Sequence, residues 1–369
     1  METIVADTEK YVISEEISKR ITSLRFLLIV FVVFIHANLK PDDAINYYHY
    51  DFVQPYWIEV FKNFVTKTLG GAAVPLFFFF SSYLQFIKND KYTTLLKKRS
   101  RSLFFPYVIW TCITVILFFI AQSIPQTAPY FQNPINIVRN WNGIDWFKIF
   151  TYHELDGGLN TPLVYQFWFL RELIIFIILS PIIRFLCEKI PAIIIIFSIF
   201  AAWNGTPLYF TVSSGAFFFY IMGFFFAKCK INFFSIADKI KIYEYLILFI
   251  LIELFGICFE GKYSFGFIGT IISCLLFLKL SLYFVRNERI YRFLSYLSGF
   301  SFFLYAVHTP FLGPTINKIT QRLIPLHGIF CLVQFLIAGS MTVIIGTLIG
   351  IFLNKICPIL FRILNGGRK

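Results

Sequence analysis

The sequence predicts an all-α, polytopic membrane protein with about ten transmembrane helices and with both termini in the cytoplasm. Three observations support this fold class: the apolar composition, the recurrence of apolar segments, and the placement of the basic residues. Of the 369 residues, 58% are hydrophobic and 14% are charged, and the mean hydropathy is +0.72. A soluble domain cannot bury so much apolar surface, so the chain is expected to fold in a lipid bilayer.

Apolar segments recur along the whole chain. A helix needs about 20 apolar residues to cross a bilayer, and several of the segments reach that length. The fifth segment is short. The segments lie at about 22–39, 69–87, 103–122, 163–186, 191–203, 211–227, 244–259, 264–285, 293–313 and 329–354.

The basic residues indicate how these helices are oriented. If every segment crosses and the N-terminus is inside, Lys and Arg concentrate in the loops on the inner side. Membrane proteins show this positive-inside pattern. Removing one helix would reverse every later loop, so the pattern favours ten crossings with both termini inside. The first twenty residues are polar and of mixed charge, and no removable signal peptide is expected.

The net charge and the cysteines indicate neither a nucleic-acid surface nor a metal site. The charge of +13 follows the orientation pattern, so nucleic acid is not an expected partner. The seven cysteines are scattered in or beside apolar segments, without CxxC or Cys/His spacing. We expect them to be small core residues, and we predict no metal site and no disulfide framework.

Two ionisable residues, Arg25 and His36, lie within the first apolar segment. Their separation of eleven residues turns a helix only about 20° past three full turns, so both project from one face, roughly 16 Å apart along the axis. Such residues are costly in lipid and therefore indicate a protein-lined path. His36 could act as a general base or carry an acyl group. The alternative is a histidine that only packs against a neighbouring helix.

A basic run precedes the third apolar segment, in KNDKYTTLLKKRSRSLFFPY. Lys97, Lys98, Arg99 and Arg101 are expected at the cytoplasmic interface. Guanidinium groups bind phosphate oxygens in bidentate fashion, so the run suits a phosphate-bearing cosubstrate. The alternative is a run that sets topology and binds anionic lipids.

Further ionisable residues lie in the fourth and ninth segments. Arg171 and Glu172 stand one turn into an apolar span, and adjacent helical residues point about 100° apart, so each is expected to meet a group elsewhere. Glu172 could orient His36 or neutralise an arginine. His308, just before Pro310, could line the same cavity as His36, or could be an interfacial histidine.

Two outer loops, about 40–68 and 123–162, are rich in aromatic and polar residues. Such loops could cover or bind a sugar on the outer face. The alternative is that Trp57, Trp141 and Trp146 are interfacial anchors.

The chain resembles the membrane-bound acyltransferase-3 family over about residues 18–357. Five segments carry the resemblance: the Arg25-x10-His36 pair, GAAVPLFFFFSSYL, KKRSRSLFFPYVIW, FWFLRELIIFIILSPII and GFSFFLYAVHTPFL. Ser82 stands where the family usually has glycine, which we interpret as a packing change. The remaining residues, 1–17 and 358–369, are then a cytoplasmic N-terminal segment and a cytoplasmic tail.

The basic run departs from the family's pattern Arg-x-x-Arg-Leu-x-x-Pro. Arg99 and Pro106 align with it, but Ser102 occupies the position of the second arginine, and Arg101 lies one place earlier. Either Arg101 or Lys98 could take that role.

The resemblance implies O-acylation of an exported or cell-surface glycan, or of a glycolipid, by a multi-pass protein of the cell inner membrane. It implies acyl-CoA, such as acetyl-CoA, as a cytoplasmic cosubstrate, with no permanently bound cofactor. The expected partners are this donor, the glycan or glycolipid acceptor, and membrane lipids. The expected site comprises His36, Arg25 and Glu172 for catalysis, Arg25, Lys98, Arg99 and Arg101 for the donor, and Arg171, His308 and Trp168 for the acceptor.

Two other functions fit a polytopic protein with polar residues in its helices. A glycolipid or polysaccharide transporter would show repeated halves or helix pairs broken by Gly or Pro, and the sequence shows neither. If the protein were a membrane sensor or scaffold, the shared helix face of Arg25 and His36 beside a basic run would have no explanation.

Overall fold

The computed structural model is built almost entirely of helices, which confirms the all-α prediction. It describes residues 14–39, 53–131, 134–154, 160–205, 208, 212–258 and 265–368. The helices are α1 (Glu15–Ala37), α2 (Tyr56–Asn63), α3 (Ala73–Lys88), α4 (Tyr92–Arg99), α5 (Phe105–Ser123), α6 (Gly143–Thr151), α7 (Trp168–Ile178), α8 (Ser180–Lys189), α9 (Pro191–Asn204), α10 (Ser214–Lys228), α11 (Phe233–Lys239), α12 (Ile242–Cys258), α13 (Phe265–Arg286), α14 (Glu288–Ser298), α15 (Ser301–Val307), α16 (Gly313–Leu323), α17 (Phe330–Ile356) and α18 (Pro358–Leu364). Two strands of two residues, β1 (His153–Glu154) and β2 (Asn160–Thr161), form an antiparallel hairpin.

The helices include enough apolar spans for a multi-pass membrane protein. Within the described ranges, five continuous helical stretches are long and apolar enough to cross a bilayer, and up to eight if each of three bent helix pairs counts as one span. The count of ten crossings and the cytoplasmic placement of the termini stay predictions. The bent pairs are α8 with α9 (114°), α10 with α11 (102°), and α14 with Ser301–Leu323 (48°).

One of these bends forms a helix pair broken at a proline, a feature that was not found in the sequence. Pro191 begins the second helix of the sharpest bend, because a proline is tolerated at the first helical position but not within a helix. The fourth apolar segment, predicted at about 163–186, is likewise divided into α7 and α8 at Leu179.

Parts of both predicted outer loops are helical. The structure extends the second apolar segment toward the N-terminus through α2 and the π-helical turn Phe64–Leu69. In the other loop, the side chain of Asn142 accepts from the backbone of α6, and Asp145 accepts from the Asn142 N–H in return. This reciprocal capping satisfies donors that a helix start leaves unpaired, and it explains why a polar loop forms a helix.

Aromatic rings fill the core between α3, α7 and α10. The Phe78 and Phe169 rings meet edge to face with centroids 4.8 Å apart, and Phe176 lies 4.8 Å from Tyr220. Aromatic pairs at this spacing gain energy beyond their area of burial. The high phenylalanine content therefore serves packing between these helices.

Gly223 of α10 marks a very close approach to α3. A Cβ atom at Gly223 would lie 2.6 Å from the Phe79 carbonyl oxygen and 2.7 Å from the Ser82 Cβ. Relief of this clash requires the backbone of α3 to move. Gly223→Ala is therefore expected to lower the free energy of unfolding by about 1–3 kcal/mol. Gly143→Ala, where nothing lies within 4 Å, is the control. Equal thermal stability of both variants in detergent would contradict this packing.

Arg20 forms a buried ion pair that joins α1, α11 and α13. It is 1% exposed and donates to both Asp238 carboxylate oxygens, at 2.7 and 2.8 Å, and to the Leu278 carbonyl oxygen at 2.7 Å. Asp238→Ala leaves this buried guanidinium with only the more distant and exposed Glu16 carboxylate, at 3.6 Å, as a counter-charge, at a cost of about 3 kcal/mol. We expect a clear loss of thermal stability, whereas the exposed neighbour Lys239→Ala should change it little. Equal unfolding temperatures would exclude this role.

Candidate active site

A cavity of about 360 Å³ lies beside one face of α1. Ile21, Arg25, Ile29 and Val32 line it, at the spacing that places residues on a single stripe of a helix. Arg25 remains open to solvent there. His36 follows Val32 by four residues and so continues the stripe by one turn, as the sequence predicts.

Three arginines line the cavity: Arg25, Arg99 and Arg368. Among the described residues, no acidic side chain lines it. The Arg368 guanidinium stacks on the ring of Phe302 at 4.2 Å, and Phe77, Phe80 and Phe169 provide further aromatic lining. The cavity thus combines positive charge with apolar walls, as a site for a phosphate-bearing organic molecule requires.

The structure brings only part of the basic run into this cavity. Arg99 lines it, whereas Lys98 and Arg101 are exposed and do not. The Lys98 ammonium donates instead to the Asp90 carboxylate at 2.7 Å. A π-helical turn, Ser100–Phe104, alters the helical register after Arg99, so that Ser102 rather than Arg101 faces the cavity.

Two histidines meet where the α1 stripe continues beyond Val32. The rings of His36 and His308 are 5.3 Å apart between centroids. The His308 Nδ1 lies 2.6 Å from the Tyr305 carbonyl oxygen, and because a carbonyl only accepts, we assign the ring proton to Nδ1. The Nε2 of His308, which has no hydrogen-bond partner within the described part of the chain, is then an acceptor in a fully buried ring.

Tyr165 is the polar partner of His36. Its hydroxyl lies 3.2 Å from the His36 Nδ1, and the two rings meet edge to face with centroids 5.1 Å apart. The half-buried His36 ring is thereby fixed at one nitrogen, while the other ring nitrogen has no hydrogen-bond partner among the described residues and could take part in chemistry. Tyr305 connects the histidines to the cavity, because it lines the cavity and also bonds His308.

A buried polar network holds these two histidines in place. Gln166 donates to the Thr309 carbonyl oxygen at 2.8 Å and accepts from the Thr309 hydroxyl. The Tyr305 hydroxyl donates to the Gln166 carbonyl oxygen at 2.5 Å, and Asn317 donates to the His36 carbonyl oxygen at 3.4 Å. Sequence reasoning missed Tyr165, Gln166 and Asn317. The polar pair Tyr165-Gln166 at the start of an apolar segment was the available signal.

Three predicted site residues on α7 lie away from this centre. Arg171 donates to the Thr151 carbonyl oxygen and lies 3.8 Å from the Glu172 carboxylate. Arg171 therefore meets a group on another helix, as expected, and in addition lies within ion-pair distance of its neighbour. Glu172 is 1% exposed beside Arg171, and the contacts described for His36 are to Tyr165 and His308 instead. This position favours the second of its two predicted roles, the neutralisation of an arginine, which stays a prediction.

The helical periodicity of α7 explains this arrangement. Phe169, Leu170 and Leu173 line the cavity, so Arg171 and Glu172 occupy other positions around the helix. Trp168 is half-buried and packs against the main apolar core. In the described part of the chain, none of the predicted site residues Trp168, Arg171 and Glu172 lines the cavity.

Comparison with known proteins identifies the family. A family model described as an acyltransferase domain matches residues 18–353, nearly the whole chain. The chain belongs to the acyltransferase-3 family. It is also 26% identical over 180 residues to the succinoglycan biosynthesis protein ExoH of Rhizobium meliloti (strain 1021), a match that covers 48% of this chain and 45% of that protein. No solved structure matches.

The five segments that carry the acyltransferase-3 resemblance converge on the site described above. Four of them contribute directly to the cavity lining beside the α1 stripe, and the last also carries His308. Arg368 lies outside all five segments and beyond residue 353, where the family match ends. The lining residues from those four segments include Phe80 and Ser81, Arg99 and Ser102, Phe169 and Leu170, and Ser301, Phe302 and Tyr305.

Proposed function

We propose that this protein is an O-acyltransferase of the cell inner membrane that moves an acyl group, such as acetyl, from cytoplasmic acyl-CoA to a hydroxyl of an exported glycan or glycolipid. One observation carries the proposal: the arginine-lined cavity follows the face of α1 that leads from Arg25 to His36. This arrangement supports a donor site and a titratable base along a single helix stripe.

The cavity suits the donor. Arg25 and Arg99 supply guanidinium groups for phosphate oxygens, and the apolar walls suit the pantetheine arm. Its volume of about 360 Å³ lies within the usual range of small-molecule sites. A thioester that enters with its phosphates at the arginines would direct its acyl end toward His36.

In the proposed reaction, His36 is the general base. With Nδ1 donating to the Tyr165 hydroxyl, Nε2 accepts the proton of the acceptor hydroxyl while that oxygen attacks the thioester carbonyl carbon. The carbon–sulfur bond breaks, the acyl ester forms, and the CoA thiolate takes the proton from the imidazolium. In the variant route, His36 Nε2 attacks the thioester carbonyl carbon and the CoA thiolate leaves. The acyl-imidazole then passes the acyl group to the acceptor hydroxyl, whose proton goes to the thiolate.

The acceptor side of the proposal rests on the relative and on the aromatic loops. The name of the relative places it in the biosynthesis of succinoglycan, a polysaccharide. In this chain, the Trp141 and Trp146 rings form an edge-to-face pair at 5.2 Å, with Trp146 exposed beside the start of α6. Exposed aromatic rings of this kind suit a sugar face.

His308 is expected to assist His36. His308→Phe keeps a ring of similar size but removes the buried Nε2 acceptor that lies beside His36. We expect the rate of acyl transfer to fall at least about tenfold, equivalent to about 1.4 kcal/mol of the barrier. An unchanged rate in a stably folded variant would limit His308 to packing.

The proposal is tested with purified protein in liposomes that is supplied with radiolabelled acetyl-CoA or succinyl-CoA and candidate glycans. We expect alkali-labile label on the glycan with the wild-type protein and not with His36→Ala. A transporter with these helices would move glycolipid across the bilayer without consuming acyl-CoA. Glycolipid transport with no thioester consumption would therefore refute the proposed activity.

A further inference from the structure

We propose that Arg368, four residues beyond the last helix of the chain, is a third donor-binding arginine and takes the place of the second arginine that the basic run lacks. The inference rests on the proposed function, because its ligand is the phosphate portion of acyl-CoA. The residue lies outside the segments that carry the family resemblance. Its assignment comes from its position in the cavity beside Arg25 and Arg99.

The turn after α18 directs the Arg368 side chain into the cavity. Gly366 and Gly367 both adopt positive φ, +68° and +73°, a conformation that L side chains rarely take. Together they reverse the chain, and the Arg368 guanidinium reaches the cavity, where it stacks on Phe302 and donates to the Asn365 carbonyl oxygen at 3.1 Å.

Asn365 anchors this turn to the helix bundle. Its buried side chain donates to the Gly299 carbonyl oxygen at 2.7 Å and to the Arg368 carbonyl oxygen at 3.2 Å, and it accepts from the Phe303 N–H at 3.1 Å. The Trp110 indole donates to the Leu364 carbonyl oxygen at 2.9 Å. A fully satisfied buried network of this kind fixes a unique conformation of the turn, so Arg368 is held in the cavity wall.

The turn lies against the position of the missing arginine. A Cβ at Gly366 would be 2.6 Å from the Ser102 carbonyl oxygen, so only glycine allows this approach. Ser102 faces the cavity, whereas Arg101 is exposed and does not line it. In the pattern Arg-x-x-Arg, an arginine at position 102 would supply a positive charge. Here Arg368 supplies that charge instead.

The electrostatics of the cluster indicate a polyanionic ligand. Burial and the like charges of Arg25 and Arg99 lower the pKa of Arg368. Three guanidinium groups that face one cavity repel each other, and among the residues described no carboxylate lines the cavity to offset them. Phosphate oxygens would relieve this repulsion with charge-assisted hydrogen bonds.

The first test measures CoA binding to the purified protein by calorimetry. Arg368→Gln is expected to weaken binding about 10–100-fold, as the loss of a charge-assisted contact predicts. Arg362→Gln, which removes an exposed arginine from the adjacent helix α18, should leave binding unchanged. Adding Ser102→Arg to Arg368→Gln should restore most of the lost affinity. Unchanged CoA binding in Arg368→Gln would overturn the inference.

The second test separates the donor from other phosphate sources. Arg368→Gln should raise the donor KM for acetyl-CoA with little change in kcat, and should not affect transfer from S-acetyl-N-acetylcysteamine, which has no phosphate. A loss of transfer rate that is equal with both donors would contradict a role in binding the donor phosphates. A loss that depends on anionic lipid in the liposomes would instead assign Arg368 to a lipid headgroup. If CoA binds as expected but no acyl group is transferred, the proposed function fails while the donor site stands.

Discussion

His36→Ala is expected to reduce acyl transfer by about 10²–10⁴-fold while the protein remains folded and inserted. The reason is the loss of the only group placed both on the Arg25 stripe of α1 and beside His308 within the described ranges. The His36 ring is only half-buried, so its truncation to alanine is expected to leave the fold intact. The measurement is the single-turnover rate with saturating acyl-CoA, together with thermal stability in detergent.

Two further variants make this result specific. Tyr165→Phe removes the hydroxyl that meets the His36 Nδ1 but keeps the ring contact, so it should lower the rate less than His36→Ala does. His36→Gln retains a polar group and should remain impaired because an amide cannot accept the proton. Near-normal transfer by either His36 variant would refute its role as base or acyl carrier.

Arg25→Gln is expected to raise the donor KM about 10–100-fold, because Arg25 is open to solvent within the cavity and supplies charge-assisted contacts to phosphate oxygens. Arg25→Lys should recover part of this loss, since a lysine keeps the charge but not the bidentate geometry. Lys19→Gln, on the same helix but outside the cavity, is the matched control. A donor KM that is unchanged in Arg25→Gln would remove the arginine cluster from the donor site.

The relation between Arg25 and His36 was predictable from sequence because it depends only on helical periodicity. Both residues lie on one uninterrupted helix, α1, whose local geometry fixes which positions share a face. The order of the apolar segments was predictable for the same reason. The bends between successive helices were not, because hydropathy and periodicity along the chain do not determine the angle at which two helices meet.

The remaining site depends on contacts that a linear pattern does not contain. The π-helical turn after Arg99 shifts which residues of the basic run face inward, so Ser102 lines the cavity and Arg101 and Lys98 do not. Arg368 reaches the cavity only through a two-glycine turn packed on Ser102. No periodicity joins residues so far apart in the chain, and only the folded structure brings them together.

Acyl transfer to a glycan is expected to depend on His36, which lies one helix turn beyond the arginine-lined cavity that we propose for the donor. The most direct test is the content of alkali-labile acyl esters on the surface glycans of the producing cells, measured by NMR with the wild-type allele or with His36→Ala at equal protein levels. The account predicts that these esters disappear with His36→Ala and remain with Arg362→Gln. Esters that persist undiminished with His36→Ala would contradict it.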